Sequence, residues 1–143
     1  MDSKQIEIIL EQWKTCVEMS NSVSSRRDAV NSIFTTLNLA IIAAAAFIWN
    51  LKTLLLFAAG TVVCILWILM IRNYRLLNQE KFKIINELEK KLPVQPFNDE
   101  WAALSINKKY KDSTKLEIGL PITFMIIYGI SCIFVVLNKF FAQ

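Results

Sequence analysis

Three long uncharged apolar runs constrain this chain more than any other feature. Residues 33–49 (IFTTLNLAIIAAAAFIW), 53–71 (TLLLFAAGTVVCILWILMI) and 118–138 (IGLPITFMIIYGISCIFVVLN) contain no Asp, Glu, Lys or Arg. Each is about 17–21 residues, the length a helix rising about 1.5 Å per residue needs to cross roughly 30 Å of hydrocarbon. The composition, 55% hydrophobic, belongs to these runs rather than to a dispersed core. They predict an all-α integral membrane fold with three transmembrane helices. The first run carries Thr35, Thr36 and Asn38 near its start. The first thirty residues are polar, without the apolar stretch of a cleavable signal peptide, so the first span is expected to act as its own insertion signal.

The basic residues orient the spans. Lys4, Lys14, Arg26 and Arg27 precede the first run. Arg72, Arg75, Lys81, Lys83, Lys90, Lys91, Lys108, Lys109, Lys111 and Lys115 lie between the second and third. Only Lys52 and Lys139 fall elsewhere. The positive-inside rule places the N-terminus in the cytoplasm and the C-terminus outside. All 12 acidic residues fall on the cytoplasmic side too, which describes a folded polar body and not a bare polybasic tail. The net charge of +4 is met by lipid headgroups near Arg72, Arg75 and Lys115, without nucleic acid.

The chain reads as a single membrane domain over residues 1–143: a cytoplasmic amphipathic helix at 1–31, spans at 33–49, 53–71 and 118–138, and a cytoplasmic segment at 72–117. In the N-terminal arm Ile6, Ile9, Leu10, Trp13, Cys16 and Val17 recur at steps of three and four, continued by Ser20 and Val23. A helix continuous with the first span is allowed, although the Asn- and Ser-rich stretch NSVSSRR is a candidate break. Three residues, Asn50 to Lys52, join the first two spans into an antiparallel hairpin, with Trp49 expected at the membrane rim. Nothing breaks a helix from residue 53 to 92, about 60 Å of it. Tyr74, Leu77, Phe82, Ile85, Leu88 and Leu92 stripe its polar half, and Glu80 and Glu87 have basic partners expected at Lys83 and Lys91.

The stretch LPVQPFNDEW then punctuates the chain. Pro93 and Pro96 end the helix and bias residues 92–96 toward extended backbone. Asn98 is the expected N-cap of a short helix, with Asp99 and Glu100 in its first turn, and Trp101 is the expected packing anchor of this elbow. Trp13 and Tyr110 are further candidates for interfacial or packing roles. Thr114 and Glu117 fit a capping box opening the last helix, and Pro121 predicts a kink inside it.

No reaction is written in these residues. The chain has no histidine, the commonest catalytic base and transition-metal ligand. Ser24 and Ser25 therefore lack an activating imidazole. Cys16, Cys64 and Cys132 have no metal-ligand spacing and imply no disulfide framework. The adjacent acids Asp99 and Glu100 suit a helix start far better than an acid–base pair. No catalytic residue, cofactor or metal is expected. The polar trio Asn38, Thr35 and Thr36 either lines a polar axis or bonds across a helix interface, the commoner use of such groups. Arg26, Arg27, Arg72 and Arg75 are candidates for lipid headgroups or inter-subunit ion pairs, or plain topology signals.

Five stretches also resemble a known family. WKTCVEM (13–19), SSRRDAVNSIFTTLN (24–38), YRLLNQEKFKIINELE (74–89), LPVQPFNDEW (92–101) and LEIGLP (116–121) occur in order along nearly the whole chain. Together they resemble small bacterial inner-membrane proteins of the RipA-like octameric membrane protein family. The resemblance implies a three-span, cytoplasm-facing homo-oligomer of eight subunits and no catalytic residues. In layout alone the chain is similar to SLATT-type modules, small helical membrane units linked to pores in bacterial defence. The expected assembly is a cyclic ring sharing one topology, in contact with lipid and with itself. The expected function is a non-enzymatic scaffold or channel-like ring with a cytoplasmic helical crown. The alternatives are an adaptor platform for a membrane enzyme or transporter, or a pore-forming effector.

Overall fold

A computed structural model describes residues 2–48, 50–107 and 113–141, Phe140 by its backbone only. The expectations for Trp49, Lys108, Lys109, Tyr110 and Lys111 fall outside these residues. The described chain is all-helical: α1 (Ser3–Ile48), α2 (Thr53–Glu89), α3 (Pro96–Ile106) and α4 (Ser113–Phe141). Helices α1, α2 and α4 are each long and apolar enough to cross a membrane. Their most apolar windows bury only 11%, 28% and 22% of their residues inside the chain. Ile33, Phe47, Leu55, Leu69, Ile130 and Ile133 are among the large apolar side chains left facing outward, as suits a surface that meets hydrocarbon and not water.

The chain divides into two compact units. One is drawn from Met1–Arg27 and Asn73–Asp112, the other from Asp28–Arg72 and Ser113–Gln143.

In the first unit, the positions of α1 withdrawn from solvent up to Val23 are those of the apolar periodicity: Ile6, Ile9, Leu10, Trp13, Cys16, Val17, Ser20 and Val23. The break considered at NSVSSRR does not occur, and α1 runs through it. Its serines are used between helices. Ser20 Oγ donates to Asn78 Oδ1 at 3.3 Å, and Asn78 Nδ2 donates to Ser24 Oγ at 3.5 Å. One α2 amide thus engages two hydroxyls one turn apart, and tertiary contact outweighs weak propensity. On the solvent side of α2, Lys83 pairs with Glu80 at 2.6 Å. Glu87 pairs with Lys90 at 2.6 Å, not with Lys91 as expected. Lys90 is three residues on and within easy reach, and it holds the Glu87 carboxyl below its ordinary range by hydrogen bonding and charge, with Lys91 adding to the effect.

In the second unit, Ala45, Phe57, Cys64, Trp67, Ile71, Phe124, Tyr128 and Val135 form a core shared by three helices. Trp67 stacks on Phe34 at 5.7 Å between ring centroids and meets Phe124 at 6.3 Å. The α1–α2 turn satisfies its own backbone. Thr53 N–H donates to Asn50 O at 2.9 Å, Asn50 N–H to Thr53 Oγ1 at 3.1 Å, and Lys52 N–H to Asn50 Oδ1 at 2.8 Å. The Asn side chain mimics a backbone turn here.

Candidate functional site

Two asparagines of α1, Asn31 and Asn38, anchor polar bridges inside the second unit. Asn38 is fully buried. Its Nδ2 donates to Phe34 O one turn back at 2.8 Å. Its Oδ1 accepts from Tyr128 Oη at 2.7 Å and from Cys64 Sγ at 3.2 Å. One amide on α1 therefore ties α2 and α4 together. The Tyr128 hydroxyl also reaches Asn38 O at 3.3 Å. Tyr128 gets this close because Gly60 stands across from its ring; a Cβ there would lie 2.6 Å from two ring carbons.

Asn31 repeats the device seven residues earlier on α1. Its Oδ1 accepts from Trp67 Nε1 of α2 at 2.8 Å, and its Nδ2 donates to Glu117 Oε2 of α4 at 3.2 Å. Seven residues is nearly two turns, so both asparagines lie on one side of α1. Each polar bridge forms in a single register of the three helices, which makes the pair a register lock. Glu117 takes part in this bridge. Helix α4 already begins at Ser113, so Thr114 lies inside it.

The two threonines grouped with Asn38 point elsewhere. Thr35 Oγ1 donates to Asn31 O at 2.8 Å and Thr36 Oγ1 to Ser32 O at 3.0 Å, the usual one-turn back-bond of a helical threonine. Thr36 is exposed and lines a groove on α1 with Ser32, Ile33, Leu37 and Ala40. The structure thus separates Asn38 from Thr36 on different sides of one helix. Of the basic candidates, Arg26 and Arg72 are exposed, while Arg27 and Arg75 have partners within the chain.

The elbow in the first unit differs from expectation in its anchor and its cap. Helix α2 stops at Glu89, and α3 restarts at Pro96, two residues before the predicted N-cap Asn98. Proline suits the first helical position, because its missing N–H would have no helical partner there. Gln95 occupies the N-cap without a side-chain capping bond. The cap comes from α2: fully buried Glu89 accepts from Phe97 N–H at 3.1 Å and Asn98 N–H at 3.2 Å. A carboxylate at a helix N-terminus meets both unpaired donors and the positive end of the dipole. This cap draws the first turn of α3 inward, and the aromatic ring in that turn is Phe97. Phe97 packs on Trp13 at 5.8 Å and edge-on to Phe82 at 5.7 Å. Trp101, the expected anchor, is 63% exposed, and Pro93 and Pro96 are exposed beside it.

Asn31, Trp67, Tyr128 and Glu89 are not among the candidates that the sequence offers, and Cys64 enters there only as a thiol without metal-ligand spacing. The seven-residue spacing of Asn31 and Asn38 was the one legible signal. The others are ordinary members of apolar or charged stripes until the helices are placed.

No curated protein and no solved structure matches this chain. The family model for octameric membrane proteins does match, over nearly the whole length. It takes in α2, α3, the Asn31 and Asn38 bridges and the Glu89 elbow. An all-helical chain with three candidate spans and this match, over residues 10–137, belongs to the octameric membrane protein family (8xMP).

Proposed function

We propose that the chain builds a non-enzymatic homo-oligomeric scaffold in the bacterial inner membrane. Its N-terminal arm and the 72–117 segment lie in the cytoplasm, by the distribution of basic residues. The observation that carries the scaffold reading is the inward use of polar groups in the spans. Asn38 accepts from both Tyr128 and Cys64, and Asn31 accepts from Trp67 and donates to Glu117. A conducting path needs polar groups turned toward water. Here the strongest hydrogen-bonding side chains of the spans hold helices in register. The absence of histidine from the sequence favours a non-catalytic role.

A channel-like ring is the second reading. It is supported by Thr36, which stands exposed in the α1 groove and would line an axis if that side of α1 faced one. Planar-bilayer recording of the purified oligomer separates the two. The scaffold gives no unitary conductance. Reproducible unitary currents that Thr36→Leu alters and Asn38→Leu does not would establish the channel and overturn the scaffold.

A further inference from the structure

We propose that Trp101 and Leu104 of α3 seat on the next copy of this chain, against the side of its α2 that carries Leu77 and Ile84. Phe97, Trp101 and Leu104 follow one another at steps of four and three, so they form one stripe along α3. Its first member packs on Trp13 and Phe82 inside the chain. One turn on, Trp101 is 63% exposed, and no residue of α3 is buried. The aromatic row is therefore only partly covered.

The occupant follows from the assembly. The family is octameric. Copies that share one membrane topology close as a ring, and a ring contact joins two different faces of the subunit. The first unit offers a second unpartnered apolar face. Leu77 and Ile84 are 46% and 55% exposed. They lie seven residues apart along one flank of α2, roughly opposite Phe82 at about 100° per residue, so Leu77 falls outside the covered side that the expected stripe gave it. Charge complements the apolar match. Glu100 flanks the Trp101 stripe, and Lys81 sits between Leu77 and Ile84. Among the described residues neither has an ion-pair partner, whereas Lys83 and Lys90 are already paired. Tryptophan is among the side chains that most often anchor an interface.

The test uses full-length protein in native membranes with photoreactive benzoylphenylalanine in place of Trp101. Irradiation should give a covalent dimer whose cross-linked peptide contains residues 76–84 of a differently tagged copy. Cross-links confined to lipid, to the same chain, to another protein or to another part of the second copy would overturn the assignment. In parallel, Glu100→Lys and Lys81→Glu should each lower the octamer fraction in mild detergent, and their combination should restore it. Trp101→Ala should weaken assembly about tenfold or more with helix content unchanged. An intact octamer in Trp101→Ala, or no recovery in the charge swap, would refute the contact. Neither result depends on whether the ring conducts.

Discussion

Gly60→Ala should destabilise this protein, against the ordinary preference of helices. In a helix interior alanine is favoured over glycine by about 0.8–1.0 kcal/mol. At Gly60 the new Cβ would lie 2.6 Å from Tyr128 Cε2 and Cζ and 2.9 Å from Oη, where ordinary contact begins at 3.4 Å. The ring must retreat by the difference, about 0.8 Å. It is held in place by the 2.7 Å bond from its hydroxyl to Asn38 and by Phe57, 5.8 Å away between ring centroids. Overpacking of this kind costs about 1–3 kcal/mol. Loss of the interhelical bond adds about 0.6–1.7 kcal/mol. After subtracting the propensity gain, the net destabilisation is about 1–4 kcal/mol. The assay is an SDS titration of purified protein in mild micelles, followed by circular dichroism. The midpoint of Gly60→Ala should fall. Gly119→Ala and Gly129→Ala, where a Cβ meets nothing within 4 Å, should hold or raise theirs. Combining Gly60→Ala with Tyr128→Leu removes the obstructing ring, so the double variant should lose less than the sum of the singles. A Gly60→Ala midpoint at or above the parent, or strict additivity with Tyr128→Leu, would refute the account.

Three further predictions rest on separate contacts. A double-mutant cycle of Asn38→Ala and Tyr128→Phe should give a coupling of about 1 kcal/mol in the same titration, and a value near zero would remove Asn38 as the tie between α1 and α4. Glu89→Ala leaves the Phe97 and Asn98 N–H groups without their acceptor, so it should cost about 2 kcal/mol and speed amide exchange in the first turn of α3; unchanged protection there would mean the cap lies elsewhere. Glu87 titrates below its ordinary range because Lys90 favours its charged form, so this contribution is present at neutral pH and fades as pH falls through the folded value. Lys90→Ala should raise the Glu87 titration midpoint by NMR while leaving stability nearly unchanged, since the pair is solvent-exposed.

Local chemistry was readable from the chain alone. The three spans follow from uncharged length, and the covered side of α1 in the first unit follows from its periodicity. Pro93 and Pro96 mark the stop between α2 and α3, because a missing N–H and a fixed φ act wherever the chain goes. What needed the tertiary structure was the choice among partners that all lie within chemical reach. Asn38 has the same amide whether it faces an axis or a neighbouring helix. Only the placement of α2 and α4 brought Cys64 and Tyr128 to it, and only Gly60 left room for the tyrosine ring. Asn98 is as good an N-cap as any by type, yet Glu89 displaced it, because a buried carboxylate on α2 meets two donors at once. Trp101 is the larger ring of the elbow, but that cap turned Phe97 inward instead. The apolar runs and the prolines were legible residue by residue, since membrane crossing and helix interruption depend on transfer free energy and backbone geometry, whereas the NSVSSRR break and the Asn98 start were misplaced. The tertiary structure decided which polar groups hold the helices in register, since a hydrogen bond needs its partner within about 3 Å and along the right direction.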